Sequence, residues 1–262
     1  MRRAVLGLLL IAASTPAWAG EEPPGDEQRR KFFALTPSPE VESLGHLHRN
    51  LALETKQVFR DSDSRHILAF GLAATLLVLP FDAHRGPADL DPGPIGDRHD
   101  GVTRAGYWGG NALTTFGIAG ALYGVGRITH RPRLRSTGQQ ALESLLLTNL
   151  AVEGLKHVAS RTRPDATNDR SFPSGHAAST FALASVAQQN YGFKVGIPAY
   201  ALASFVAFSR VHGDRHYLSD VTFGAAIGIT IGRTVARFHH QRMTLLPLLG
   251  RDTRGVMVSI DF

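Results

Sequence analysis

The chain has 262 residues, 43% of them hydrophobic, which allows one large buried core with small appendages. It contains no cysteine, so disulfides, thiol catalysis and cysteine-ligated metals are excluded. The formal charge is +6, but no basic tract is interleaved with aromatics, and nucleic-acid binding is not expected.

The first element reads as a secretory leader. In "MRRAVLGLLLIAASTPAWAG", Arg2 and Arg3 form the positive start, Ala4 to Ala13 the apolar stretch, and Ala17 to Ala19 a small-residue cleavage site. Residues 1–19 are expected to be removed, leaving a mature chain that begins at Gly20. This takes away two arginines and no acidic side chain, lowering the formal charge from +6 to +4. The remaining excess suits an anionic substrate or lipid surface. The expected location is the periplasm or cell envelope.

Residues 20–62 form a polar, Pro-containing segment followed by an amphipathic helix. Ser38 is its expected cap and Pro39 its first helical position, with Val41, Leu44, Leu47, Leu51 and Val58 near helical spacing. Apolar helices are then predicted at about 64–81, 105–127, 139–157, 176–191, 195–209 and 219–238 within a 63–240 helical domain. The Pro, Gly and Asp content of "DAHRGPADLDPGPIGDRHDG" marks a loop between the first two. In the tail, 241–262, Val256, Val258, Ile260 and Phe262 alternate with Met257, Ser259 and Asp261, which predicts a short β-hairpin. The expected fold is all-α: a bundle of about six core helices, an amphipathic N-terminal helix and a C-terminal hairpin. Glu143, Asn149, Glu153, Gln188 and Gln189 suit lipid poorly, and the mean hydropathy is −0.06. A cleaved leader with six spans would also leave Lys156 in the cytoplasm. An exported helical domain held at a membrane surface fits better than a polytopic one.

Three clusters carry chemistry. In "KHVASRTRP", Lys156 and Arg163 are nearly two helical turns apart and would face the same side, with Pro164 ending the helix at Arg163. Two converging cations can neutralise a dianion. In "RSFPSGHAAST", Pro173 and Ser174 suit a helix start, and Gly175 permits close approach of backbone to an anion. His176 would stand at the mouth of that site as a proton-transfer group. In "SRVHGDRHYLSD", Arg210 ends an apolar helix, and the four-residue spacing of His216 and Asp220 allows the carboxylate to accept from one imidazole nitrogen. The other nitrogen would be left nucleophilic. Each cluster alone has an ordinary structural explanation as solvated cations, a helix cap or a core-edge histidine.

Together they resemble the signature of the type 2 phosphatidic acid phosphatase family, KxxxxxxRP, PSGH and SRxxxxxHxxxD, matched in order at every specified position. The resemblance spans roughly residues 64–238. It implies a phosphate clamp of Lys156, Arg163 and Arg210, joined by Ser174 and the Gly175 N–H. It further implies His216 as nucleophile, Asp220 as its orienting carboxylate, and His176 as acid and then base. No cofactor or metal is implied, since the cations take the place of metal ions. The nine-residue interval from Pro164 to Pro173 resembles the lipid-phosphatase branch. The implied substrate is a phosphate monoester or pyrophosphate of a lipid: undecaprenyl pyrophosphate, phosphatidate, phosphatidylglycerol phosphate or lipid A. The alternatives are a soluble periplasmic acid phosphatase acting on small phosphate esters and a vanadium-dependent haloperoxidase. His46, His48, His239 and His240 lack a carboxylate at matching spacing and are not read as metal ligands. His212, Asp214, Arg215 and Tyr217 lie within the third motif at unspecified positions.

Overall fold

A computed structural model describes residues 47–82, 101–240, 244–249 and 254–259. The start of the N-terminal helix at Ser38, the leader and the Pro-rich loop lie outside these residues. Ser43–Phe238 forms one compact unit in which every regular element is α-helical. Its helices are α1 (Leu47–Arg60), α2 (Ser62–Asp82), α3 (Gly101–Gly110), α4 (Ala112–Ile128), α5 (Pro132–Ala159), α6 (Gly175–Tyr191), α7 (Phe193–His212) and α8 (Leu218–His240). Helix α1, which the sequence sets apart in its 20–62 segment, belongs to this unit. The tail's two strands, β1 (Thr244–Leu249) and β2 (Arg254–Ser259), pair antiparallel from Thr244 opposite Ser259 to Leu249 opposite Arg254. Ile260 to Phe262 of the expected alternation lie outside the described residues.

The expected single helix over 105–127 is two. Asn111 breaks it by capping α4, its side chain accepting from the Thr114 N–H at 2.8 Å, after a Gly-Gly pair that weakly favours helix. Helix α5 begins with Pro132 at its first turn and stops at Ala159, where Ser160 turns left-handed (φ 41°) and donates its N–H to the Lys156 carbonyl at 3.1 Å. The helix therefore ends four residues before Arg163, earlier than the Pro164 signal predicts.

Helices α6 and α8 approach as closely as backbones allow. A Cβ on Gly224, Gly228 or Gly232 would lie 2.6, 2.1 and 2.4 Å from the carbonyl oxygens of Ser174, Ala178 and Ala182 respectively. Glycines four residues apart form one smooth stripe along α8, and small residues on α6 fit against it. This contact fixes the start of α6 against the first turn of α8.

The distribution of polarity is partly inverted. Helix α5 buries Ser136, Gln139, Gln140, Glu143 and Thr148. Several of their groups are paired: Asn50 and Gln139 donate to Glu143 Oε1 at 3.1 and 3.0 Å, Asn190 donates to Gln140 at 2.6 Å, and Gln140 donates to Ser136 at 3.0 Å. Glu143, read from sequence as unsuited to lipid, faces the bundle interior. Outside, Phe70, Leu77, Leu113, Ile128, Leu150 and Phe193 are each more than 70% exposed. Among the described residues one helix, α2, is long and apolar enough to cross a membrane, and little of it is buried. Two small apolar clusters, around Leu147, Ile227 and Val235 and around Ala141, Leu145 and Val186, complete the core.

Gly228→Val is expected to destabilise the unit by about 1–3 kcal/mol, since its Cβ would overlap backbone rather than a movable side chain. Gly117→Ala, where no atom lies within 4 Å of the added carbon, should leave the melting temperature unchanged or raise it. Thermal unfolding of both variants in the same detergent checks the pair.

Candidate active site

The three clusters meet at one end of the bundle, where α5 and α7 finish and α6 and α8 begin. Ser174 caps α6, and its backbone N–H donates to the Asp220 carbonyl at 3.0 Å, joining the starts of α6 and α8. The first N–H groups of a helix have no partner within it and carry the positive end of its dipole. Anion affinity is thus built into the Ser174–His176 turn. Lys156, in the last turn of α5, reaches this turn: its ammonium would sit 3.7 Å from a Cβ on Gly175. In the structure Lys156 donates to Glu153 at 3.2 Å, and Glu153 also pairs with Arg170.

Arg163 is held in the loop after α5, not on a helix as the spacing predicts. Its N–H and Nε donate to the carbonyl and side chain of Asn168 at 3.0 and 2.9 Å. The same loop is tied to the third cluster by Asp165, whose N–H donates to the Asp214 carbonyl at 3.2 Å and whose carboxylate pairs with Arg215 at 2.9 Å. Arg210 is buried in the last turn of α7, 5.9 Å from the Tyr107 ring centroid. Of the positions the motif leaves unspecified, Arg215 therefore braces the loop and Tyr217 is buried, while His212 stacks on Phe208.

His216 is 3% exposed and precedes α8; Asp220, fully buried, lies in the first turn of that helix. The imidazole Nδ1 is 2.7 Å from the Ser171 carbonyl oxygen and 3.6 Å from Asp220 Oδ2. The direct acceptor is therefore Ser171, a correction to the expected His–Asp hydrogen bond. Asp220 Oδ2 is already taken by the Ser171 hydroxyl and by the Tyr217 N–H at 2.8 Å. A carbonyl only accepts, so Nδ1 carries the hydrogen and Nε2 keeps its lone pair. Burial pushes the His216 pKa down, keeping the ring neutral, although Asp220 acts against this. Asp220 is itself held below the usual carboxylate range: burial raises it, but His216, Ser171 and Arg161 outweigh that.

His176 is pushed down to about 3, first by burial and then by Arg210, His216, Lys156 and Arg163. Lys156, Arg163, Arg210 and both histidines thus share one electrostatic site. Its ring sits 5.6 Å from that of Tyr107, and its Nε2, like Arg210 Nε, is buried without a hydrogen-bond partner. Burial, with Arg215 and Arg163, lowers Arg210 to about 10, which still leaves it charged at neutral pH. Such unpartnered buried polar atoms are costly, and an anion would meet the Arg210 donor.

All eight residues singled out in the sequence are thus in this region. The sequence reading missed Arg161, Ser171, Asp82 and Tyr107. Arg161 stands two positions before Arg163 in "SRTRP" and could have been noticed as a third cation. Nothing local links Asp82 or Tyr107 to the site.

The PAP2 superfamily profile matches residues 138–244. Lipid A 1-phosphatase of Porphyromonas gingivalis is 37% identical over 109 residues, 39% of this chain and 24% of that protein. Lipid A 4'-phosphatase of Helicobacter pylori is 30% identical over 133 residues, covering 46% of this chain and 67% of the relative. Decaprenylphosphoryl-5-phosphoribose phosphatase of Mycobacterium tuberculosis is 39% identical over 80 residues, 30% of this chain and 43% of that one. No solved structure gives a significant match. This chain belongs to the PAP2 superfamily and is of its lipid-phosphatase-like kind. It spans about a quarter of the first of these relatives and two thirds of the second.

His176 is neutral in the folded protein down to about pH 3, whereas its ordinary value is 6.5. The unfolded chain therefore takes up the proton first. The stability this confers is full above about pH 6.5 and is lost as pH falls toward 3. Melting temperature measured from pH 7 to pH 4 should fall, and His176→Gln should flatten that slope. Orthovanadate, by offsetting the clamp cations, should move the His176 NMR titration upward.

Proposed function

We propose that the chain is an exported phosphatase of the cell envelope that hydrolyses a phosphate monoester or pyrophosphate group on a lipid. The observation that carries this reading is His216: buried, held at Nδ1 by the Ser171 carbonyl, and so presenting an unprotonated Nε2 beside Arg210, Arg163 and His176. Lys156, Arg163 and Arg210, with the Ser174 hydroxyl and the Gly175 N–H, hold the phosphate oxygens. The His216 Nε2 lone pair attacks phosphorus, forming a P–N bond as the bond to the leaving oxygen breaks. His176 gives its proton to that oxygen. Water then gives a proton to His176 and attacks phosphorus, and the P–N electrons return to His216 as inorganic phosphate leaves. Asp220 offsets the charge on the imidazole ring throughout.

His176 can act as the acid only when charged. In the empty site burial and four positive or ionisable neighbours suppress that state. A bound phosphate anion cancels much of their field, so His176 becomes protonatable when substrate is in place. Proton donation is in this way coupled to occupancy of the clamp.

A lipid substrate is supported by the relatives' names and by the exposed apolar surface. Phe70, Leu76, Leu77 and Phe81 line α2 and are well exposed, and Asp82, one residue beyond, contacts the site through Arg161. An apolar surface of this extent suits association with a membrane. It supports a lipid over a small soluble ester as the substrate.

Purified residues 20–262 in detergent should release phosphate from lipid A, phosphatidate or undecaprenyl pyrophosphate with chelator present. His216→Ala should lower the rate by about a thousandfold or more. Release from p-nitrophenyl phosphate alone would move the assignment to a broad-specificity phosphatase. No release from any of the four by folded protein would sink it.

A further inference from the structure

Arg161 lies outside the family signature, yet it makes the densest set of polar contacts around Asp220. Its Nη1 donates to Asp220 Oδ1 at 2.8 Å and to the Ser219 hydroxyl at 2.6 Å. Its Nη2 donates to Asp82 Oδ2 at 3.1 Å, at the last residue of α2. The guanidinium carbon stands 4.1 Å from the Tyr217 ring centroid, so the planar group is fixed on its face as well as at its edges. Its backbone carbonyl accepts from the Ser171 N–H at 2.9 Å. Ser171 in turn holds His216 Nδ1 with its carbonyl and Asp220 Oδ2 with its hydroxyl.

We infer that Arg161 is a positioning residue for the His216–Asp220 pair, locating Asp220 by its guanidinium and Ser171 by its carbonyl, and tying both to the end of α2 through Asp82. Two buried carboxylates, Asp220 and Asp82, share this one guanidinium. Two buried carboxylates held near one another are costly unless a cation stands between them. The planar fork reaches Asp220, Ser219 and Asp82 at once, which a single ammonium cannot do. Arg161 contacts Asp220, Ser219, Asp82, Tyr217 and Ser171. Its effect on catalysis runs through Asp220 and Ser171, and the clamp is formed by other residues.

The groups facing Asp220 set the pH behaviour. They are His216 and Tyr217 from the turn before α8, Arg161 and Arg163 from the loop after α5, and Asp82 from α2. Removing Arg161 takes away a cation that favours the carboxylate. That change moves the acid limb of kcat/KM to higher pH.

The inference rests on the phosphatase reading, and the test separates the two. Full-length mature protein in detergent would be assayed on phosphatidate as wild type, Arg161→Ala, Arg161→Lys, Asp82→Asn and His216→Ala, with orthovanadate affinity measured by calorimetry. Arg161→Ala should lower kcat about ten- to hundredfold, the scale typical of groups that orient a reacting residue. KM and orthovanadate Kd should stay within about threefold of wild type, because the clamp is intact. Its acid limb should move up, Arg161→Lys should restore the limb but not the full rate, and Asp82→Asn should show a smaller loss of the same kind. Unchanged kcat and pH profile in a variant that still binds orthovanadate would overturn the inference. So would a loss confined to KM and orthovanadate affinity. If Arg161→Ala does not fold, Arg161→Lys and Asp82→Asn decide by the same criteria. Wild-type turnover that His216→Ala abolishes and Arg161→Ala retains at the full rate overturns the positioning role alone; no wild-type turnover of phosphatidate, lipid A, undecaprenyl pyrophosphate or p-nitrophenyl phosphate overturns both readings.

Discussion

The buried carboxylate of Asp220 is the constraint around which this end of the molecule is arranged. A charge taken fully out of water must be met by donors on every side. Here they come from separate parts of the chain: Arg161 after α5, Ser171 before α6, and the Tyr217 N–H at the start of α8. The Asp220 backbone carbonyl adds the Ser174 N–H. Satisfying this one residue therefore brings the loop after α5, the anion-binding turn of α6 and the start of α8 into register. The glycine stripe of α8 makes this possible, because a side chain at Gly224 would push the Ser174 turn away and one at Gly228 or Gly232 would push α6 away at Ala178 or Ala182.

The site concentrates positive charge where little solvent can screen it. Lys156, Arg163 and Arg210 all have lowered pKa values, with burial as the first cause in each. Like charges held together in this way raise the energy of the empty state, and an anion relieves it. Glu153 meets part of that demand by pairing with Lys156 and Arg170. A bound phosphate would compete with it for Lys156. His176 experiences the same field and so cannot hold a proton until the field is offset. In the proposed reaction, affinity, pairing and proton donation would follow from one electrostatic arrangement.

The bundle's exterior is as informative as its site. Polar side chains of α5 are spent inside, on hydrogen bonds to Asn50 and Asn190, while leucines and phenylalanines of α2, α4, α5 and α7 face outward. The proposed membrane attachment accounts for this inversion, since an apolar surface is no cost against lipid. Helix α2 then links that surface to the chemistry, because its last residue, Asp82, is a partner of Arg161.

By itself the sequence determined the helical class and the family, and it pointed to eight residues for the candidate site, because these depend on local signals: apolar runs, a Pro-Ser-Gly helix start, and fixed intervals between cations and histidines. The start of α6 at Ser174 was legible for the same reason, whereas α5 begins at Pro132, ahead of the apolar run that marks it. The tertiary structure decided what depends on distant partners. Asn111 splits one apolar run into α3 and α4, and Ser160 ends α5 early, so Arg163 reaches the site from a loop. Glu143 reads as a misfit for lipid until Asn50, 93 positions earlier, is seen to meet it inside the bundle. The acceptor for His216 is a backbone carbonyl, which no side-chain pattern can reveal, and the Arg161–Asp82 pair spans 79 positions. Spacing encodes neighbours along one helix; which buried charge meets which cation across the bundle is settled only when the helices pack.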